Sequence, residues 1–198
     1  MGRPTCYRCW RPTIACICGD VVGVGNRTPV VIVQHPRERR HPFGTVRILR
    51  LGLHRVDVHV ASSLFSERAE CPPCAPPGAA LLFPGPDATP LQECAPPTAL
   101  VVVDGTWPTA RKLVRDNAWL QELPRVRLSP TAPGRYRIRR APRPAFQLST
   151  IEAVVQALRI LEPDTHGLDD LLGTFDRMIE RQIALARDTV ASCRSLSG

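Results

Sequence analysis

The sequence predicts an α/β domain with a mainly parallel sheet, helices on both faces of that sheet and a small cysteine-rich knuckle at its N-terminus. Short apolar runs without polar alternation are separated by segments of helical spacing, which is the pattern of a parallel sheet covered on both sides. Four cysteines lie within the first 18 residues, where hydrophobic residues are sparse. The chain has 198 residues, 43% of them hydrophobic, so it can bury one sizeable core.

The N-terminal cysteines have the spacing of metal ligands. The pattern is Cys6-x2-Cys9-x6-Cys16-x-Cys18, and tetrahedral Zn²⁺ takes four thiolates of this kind. Free structural cysteines or disulfides are the alternatives. The start, MGRPTC, has no apolar export signal, which argues against disulfides and favours a cytoplasmic protein. We therefore expect a structural zinc knuckle over residues 1–27 and a larger domain over residues 28–198.

The remaining cysteines give a weaker signal. Cys71 and Cys74 form a second CxxC pair in a proline-rich loop, and Cys94 is the one residue that could join them. We interpret this pair as a loop feature, because no second pair completes a metal site.

The elements of the larger domain follow from apolar periodicity. Strands are expected at residues 29–33, 55–60, 79–83, 99–103 and 125–128. Helices are expected at residues 45–53, 107–117, 149–161 and 167–189. Ser149 and Glu152 form the capping-box pattern at the start of the third helix. The long Pro- and Arg-rich connection at residues 129–148 predicts a functional loop, since long loops are uncommon inside compact domains.

Three loops leave the carboxyl ends of predicted strands. They lie at residues 83–85, at residues 104–107 and after Leu128. Ligands bind at this edge of parallel sheets, so the three loops should converge on one pocket. Asp104 stands at such a strand end beside Trp107. It is either a general base, since desolvation can raise the pKa of a carboxylate, or a cap of the helix that follows.

The charge of the chain points to an anionic partner. The formal net charge is +8, from 26 basic residues of which only Lys112 is lysine. RNA fits this charge best, although a GC-rich genome would also enrich arginine. The stretch around His35 is interpreted as an RNA-contacting basic loop rather than a catalytic one. The candidate RNA contacts are Arg37, Arg39, Arg40, Arg111, Lys112, Arg135, Arg137, Arg139 and Arg140.

Several other function classes are not favoured. Residues 23–29, GVGNRTP, precede a strand instead of following one and lack a third glycine, so they are no dinucleotide fingerprint. The longest apolar runs are too short to cross a bilayer, so no membrane partner is expected.

An ordered set of motifs resembles the DTW-domain family. The signature is Asp104-Gly105-Thr106-Trp107 followed by Ala110-Arg111-Lys112. The other landmarks, in order, are the four cysteines, Gln34-His35-Pro36-Arg37-Glu38, Leu82-Phe83-Pro84-Gly85, Tyr136-Arg137-Ile138-Arg139 and Ser149-Thr150-x-Glu152-Ala153. The resemblance implies a fold like that of SPOUT methyltransferases, with a C-terminal trefoil knot in which residues 129–148 wrap the cofactor.

The resemblance also implies an activity. Members are tRNA-uridine aminocarboxypropyltransferases, which move the 3-amino-3-carboxypropyl group of S-adenosyl-L-methionine to N3 of a uridine, giving acp3U and methylthioadenosine. The implied partner is tRNA, with no DNA and no membrane, and the protein is expected to be a monomer or homodimer. The alternatives are a SPOUT-type RNA methyltransferase and a non-catalytic zinc-containing RNA-binding module.

The site residues carried by the resemblance gather at the predicted strand ends. Asp104 is the candidate catalytic base, with Trp107 limiting its solvation. The candidate contacts to S-adenosyl-L-methionine are Thr45, Leu82, Phe83, Pro84, Gly85, Asp104, Gly105, Thr106, Trp107, Leu128, Ser149 and Thr150. Related chains have Asn-Thr-Gly around Thr45, where this chain has Gly44-Thr45-Val46, so the two flanking residues depart from the family pattern.

Overall fold

The centre of the structure is a six-stranded sheet in which every pairing is parallel. This computed structural model describes residues 4–39, 41–61, 75–129, 134–135 and 147–195. The strands in these ranges are β1 (Thr5–Cys6), β2 (Arg11–Pro12), β3 (Val30–Gln34), β4 (Val56–Val60), β5 (Ala80–Leu82), β6 (Thr89–Pro90), β7 (Leu100–Asp104) and β8 (Arg125–Arg127). The order across the sheet is β4-β3-β7-β5-β8-β6, and β1 and β2 form a separate antiparallel hairpin.

Helices cover both faces of this sheet. They are α1 (Pro36–Arg39), α2 (Val46–Gly52), α3 (Trp107–Asp116), α4 (Ala118–Glu122), α5 (Thr150–Leu161) and α6 (Leu168–Ser195). Because side chains alternate along a strand, Ile32 and Val102 pack into a core with α2, α5 and α6. Val33 and Val101 point the other way, into a smaller core with α3 and α4. None of the helices in the described ranges is long and apolar enough to span a membrane.

Two neighbouring interior strands of the sheet, β3 and β7, end side by side. Gln34 at the end of β3 is in register with Asp104 at the end of β7. After β3 the chain continues to β4, toward one edge of the sheet, and after β7 it continues to β8, toward the opposite edge. This divergence is the topological switch point at which open parallel sheets bind their ligands.

The predicted α/β fold with a mainly parallel sheet is confirmed. The capping box of α5 is also formed, with Ser149 and Glu152 as its members. Five short elements were not predicted, the strands β1, β2 and β6 and the helices α1 and α4, and the stretch around His35 that was expected as a loop contains α1. Helix α6 continues to Ser195, beyond the predicted end at residue 189. Most of the connection at residues 129–148 lies outside the described residues, so the trefoil knot stays a prediction.

The N-terminal knuckle packs against the long helix α6. Asp20 receives two hydrogen bonds from the guanidinium of Arg181, at 2.5 and 3.1 Å, and Arg181 also donates to the carbonyl oxygen of Cys16. Ile17 is fully buried and belongs to the larger core. The knuckle therefore shares the core of the sheet domain. The division of the chain into two domains at residue 27 stays a prediction.

Candidate active site and metal centre

A cavity of about 500 Å³ opens at the carboxyl edge of the sheet. The loops that follow β3, β5, β7 and β8 form its walls, and the start of α5 closes one side. This volume is within the range that holds a small-molecule ligand or cofactor. The lining residues are Glu38, Phe43, Gly44, Thr45, Leu82, Phe83, Pro84, Val102, Val103, Asp104, Gly105, Thr106, Trp107, Pro108, Ala110, Arg127, Leu128, Gln147, Leu148, Ser149, Thr150 and Ala153.

The carboxylate of Asp104 is held at the bottom of this cavity by side chains from two other elements. Oδ2 accepts a hydrogen bond from Nε2 of Gln34 at 2.9 Å, and Oδ1 accepts one from Oγ1 of Thr150 at 2.6 Å. The residue is 7% exposed. The short O–H···O distance is typical of a hydrogen bond to an ionised acceptor. The fold therefore presents an oriented carboxylate to whatever occupies the cavity.

The N-cap of α3 is Thr106. Its Oγ1 accepts a hydrogen bond from the backbone N–H of Thr109, and Pro108 occupies the first turn. Threonine is a preferred N-cap residue, and proline costs no hydrogen bond at this position. The sequence left base and cap open as roles of Asp104, and the structure gives the cap position to Thr106.

An apolar, partly aromatic wall stands beside Asp104. The rings of Phe83 and Trp107 lie 5.8 Å apart between centroids, with their planes tilted by 52°. Gly105 keeps the turn into α3 tight, because a Cβ at this position would lie 2.6 Å from Oγ1 of Thr109. The wall can take a flat, apolar group while the carboxylate meets a polar one.

The residues that the sequence predicted for cofactor contact come together in this cavity with one exception. Gly85 does not line it, and a Cβ on Gly85 would instead approach the guanidinium of Arg125. Sequence reasoning missed two charged lining residues, Glu38 and Arg127. The rule on strand ends selects the neighbourhood of Arg127, which is the last residue of β8, but it does not give the direction of the side chain.

The start of α5 already holds an internal anion. Oε2 of Glu152 accepts hydrogen bonds from the backbone N–H of Ser149 at 2.8 Å and from its hydroxyl at 2.5 Å, and Oε1 accepts one from the backbone N–H of Arg135. Helix N-termini attract anions, and here a buried carboxylate occupies that position. An anionic group of a ligand would therefore interact with Arg127 rather than with the start of α5. The Nε of Arg127 donates to the carbonyl oxygen of Ala88.

The four N-terminal cysteines form the candidate metal centre. Their sulfur atoms all lie within 4.8 Å of one another, and the Cys6–Cys18 and Cys9–Cys16 pairs are each 3.8 Å apart. Sulfurs that surround Zn²⁺ tetrahedrally at about 2.3 Å lie about 3.8 Å from each other. The donor set and its spacing therefore fit Zn²⁺.

The pKa values of these thiols differ because their surroundings differ. Hydrogen bonds from the backbone of Cys9 and Arg8 lower the pKa of Cys6 to about 6. Burial and the neighbouring sulfurs raise the pKa of Cys18 to about 12. A bound cation would favour all four thiolates together, since metal binding displaces protons from its ligands.

The candidate RNA contacts are spread over several exposed positions. Arg37 and Arg39 lie on α1 beside the mouth of the cavity, and Arg111 and Lys112 lie on the exposed side of α3. Arg135 is exposed and forms a 2.8 Å ion pair with Asp176 of α6. The remaining candidates lie outside the described residues, as do two of the cysteines: Arg40, Arg137, Arg139, Arg140, Cys71 and Cys74.

Two further residues that the sequence singled out have local partners. Nδ1 of His35 accepts a hydrogen bond from the backbone N–H of Arg37, and His35 is not among the described residues that line the cavity. The thiol of Cys94 donates to the carbonyl oxygen of Pro90 at 3.3 Å.

Fold and site together define an α/β protein with a ligand pocket at the switch point of a parallel sheet and a four-cysteine metal centre. Comparison with known families places it further: residues 3–183 match the DTW domain. That match covers most of the chain, and the chain belongs to the DTW domain family.

Individual relatives carry names that state an activity. The chain is 32% identical over 180 residues to tRNA-uridine aminocarboxypropyltransferase 2 of Drosophila melanogaster, covering 81% of this chain and 67% of the relative. It is 30% and 31% identical over 192 residues to the proteins of the same name from Macaca fascicularis and Mus musculus, covering 91% of this chain and 64% of each relative. The chain thus spans about two thirds of the length of these relatives. No solved structure matches the chain.

Proposed function

We propose that this protein transfers the 3-amino-3-carboxypropyl group of S-adenosyl-L-methionine to N3 of a tRNA uridine. The observation that carries the proposal is the oriented, buried carboxylate of Asp104 inside a cavity of about 500 Å³, in a chain of the DTW family. The names of the relatives state the same reaction class for those proteins.

The lining of the cavity suits the donor. S-adenosyl-L-methionine supplies a carbon activated by the adjacent sulfonium. Apolar side chains at Leu82, Phe83 and Leu128 offer a surface for its adenine ring. Of the charged lining residues, Arg127 would bind the carboxylate of the methionine moiety and Glu38 its ammonium group. Both methyl and aminocarboxypropyl carbons are bonded to the same sulfur, so the binding orientation selects which one reacts.

Asp104 is the proposed base. N3 of uridine carries a proton and becomes a good nucleophile only when that proton is lost, which a positioned carboxylate can accept. Gln34 and Thr150 each donate a hydrogen bond to Asp104 and so fix the direction of its oxygens. Cytosine has no proton on N3, so a base at this position favours uridine.

The remaining features support RNA as substrate and zinc as a structural element. The net charge of +8 and the exposed arginines beside the cavity favour a polyanion. The uridine must be unstacked to enter the cavity, as it is in a loop. Zn²⁺ held by Cys6, Cys9, Cys16 and Cys18 would fix the knuckle against α6. The cytoplasmic location and the choice between monomer and homodimer stay predictions.

One assay tests this proposal against its alternatives. The protein is incubated with unmodified tRNA and S-adenosyl-L-methionine, and both the nucleosides and the released sulfur product are identified by mass spectrometry. Methylthioadenosine with a modified uridine is expected. Adenosylhomocysteine would identify a methyltransferase instead, and neither product across a mixed tRNA pool would leave a non-catalytic RNA-binding module.

A further inference from the structure

Three large apolar side chains between Cys6 and Cys16 face solvent. Tyr7 is 80% exposed, Ile14 73% and Trp10 59%. In the described parts of the chain, the other exposed large hydrophobic residues are Val22 and Val60, which lie outside this segment of the sequence. Of the three, Tyr7 and Trp10 are in contact, and exposed apolar surface formed by neighbouring residues marks interaction sites.

Trp10 is held in a backbone conformation that a large side chain avoids. Its φ is +56°, and it is the one residue other than glycine with positive φ among the residues that the structure describes. The turn is closed by a hydrogen bond of 2.7 Å from the backbone N–H of Trp10 to the carbonyl oxygen of Cys6. Glycine would adopt this φ without steric cost.

The side chain of Trp10 packs little against the described part of the chain, so packing does not compensate for the disfavoured backbone conformation. More than half of the side chain is exposed, and its described ring partner is Tyr7, with ring centroids 6.0 Å apart and planes at 87°. A residue kept in a disfavoured conformation without a packing role points to a function outside the chain. Because the two rings are perpendicular, the exposed indole offers one flat face for a ligand that stacks, and the phenol borders it.

The surroundings of this aromatic pair indicate which ligand it takes. The guanidinium of Arg47 donates to the carbonyl oxygen of Trp10 at 3.2 Å and to that of Arg39 at 2.9 Å. Arg39 ends helix α1, in which Glu38 lines the cavity. Arg8, between the two aromatic residues, is exposed. Exposed positive charge therefore lies near Trp10 in the sequence, at Arg8, and next to the cavity-lining Glu38, at Arg39.

We propose that Trp10, with Tyr7 beside it, is a stacking platform for an unpaired base of the RNA whose uridine enters the cavity. The inference rests on the proposed function, which supplies RNA as the substrate. Aromatic rings bordered by arginines are the surface on which single-stranded nucleic acid binds, because every base has a π-face and every linkage a phosphate. The cations favour RNA over an apolar protein partner.

The test measures binding of a mixed pool of unmodified tRNA by full-length, zinc-loaded variants. Trp10→Gly removes the ring and suits the positive φ, so folding is retained. We expect its Kd to rise roughly 5- to 100-fold, the effect of losing one stacked base. Trp10→Phe should keep much of the affinity. Val22→Ala is the matched control and should leave Kd unchanged, because Val22 is also an exposed apolar residue and its backbone oxygen lies beside Gly52, at the C-terminal end of α2.

Salt dependence separates stacking from charge. Since Trp10 contacts no phosphate in this proposal, Trp10→Gly should shift the Kd at every salt concentration and leave the slope of log Kd against log salt unchanged. Zinc content and the melting temperature of each variant must match the wild type, which shows that the knuckle is intact.

The outcomes distinguish this proposal from the proposed function. A Kd for Trp10→Gly within twofold of the wild type, with zinc retained, overturns the platform, whether or not transfer occurs. Weaker binding by Trp10→Gly without any transfer by the wild type supports the platform and counts against the reaction. With both correct, Trp10→Gly raises the KM for tRNA and leaves kcat unchanged.

Discussion

Thr150→Val removes the hydroxyl that donates to Asp104 while it nearly preserves shape. The lost hydrogen bond spans 2.6 Å and has an ionised acceptor, and such bonds contribute about 1.5–3 kcal/mol. Because Thr150 is half-exposed at the cavity wall, the lower end of that range applies. If the bond holds Asp104 in its reactive orientation, a loss of about 1.5 kcal/mol corresponds to a roughly tenfold lower rate of transfer. The bond from Gln34, at 2.9 Å, remains.

Single-turnover release of methylthioadenosine at saturating tRNA and S-adenosyl-L-methionine measures this rate. The melting temperature should fall by about 3–6 °C, because a loss of that size shifts a chain of this length by about 2–4 °C per kcal/mol. Thr150→Ser restores the hydroxyl and should recover most of the rate. Our interpretation is refuted if Thr150→Val transfers within twofold of the wild-type rate, or if Thr150→Ser is no faster than Thr150→Val.

Three further predictions concern the metal, the donor and the RNA. Cys6→Ser combined with Cys9→Ser should abolish bound zinc and lower the melting temperature; metal analysis that finds equal zinc in variant and wild type would contradict the knuckle site. Arg127→Ala should weaken binding of S-adenosyl-L-methionine about tenfold in calorimetry, whereas the matched control Arg125→Ala, two residues earlier on the same strand, should not; equal effects would exclude a specific contact with Arg127. Arg37→Gln should weaken tRNA binding and reduce the slope of its salt dependence by about 1, and an unchanged slope would show that Arg37 contacts no phosphate.

The parallel sheet could be predicted because its central strands carry the information locally. The runs that became β3 and β7 are almost entirely β-branched or leucine, and they sit between segments of helical period. Elements without such a signal were missed. β6 consists of Thr89 and Pro90 alone, and α4 has five residues, so neither is long enough to show a period.

In the candidate site, too, some features could be predicted from the sequence and others could not. The rule that strand ends form the ligand edge correctly placed residues 83, 84 and 104–107 in the cavity, since it depends only on where the strands end. The hydrogen bond between Thr150 and Asp104 joins residues 46 positions apart, and the sequence alone does not show that their side chains meet. The same holds for Arg127, because the direction of a side chain at the end of a short strand depends on the register of β8 with β5. The positive φ of Trp10 is a property of the folded turn.

Transfer by Asp104→Asn is the measurement that tests the central claim most directly. Asparagine keeps the size of the side chain and an acceptor oxygen, but it cannot take the proton from N3 of uridine. With binding of S-adenosyl-L-methionine and the melting temperature shown to be close to wild type, we predict that methylthioadenosine release on unmodified tRNA falls at least 100-fold, as for the loss of a general base. Release within a few-fold of the wild-type rate would contradict the role of Asp104 as the base.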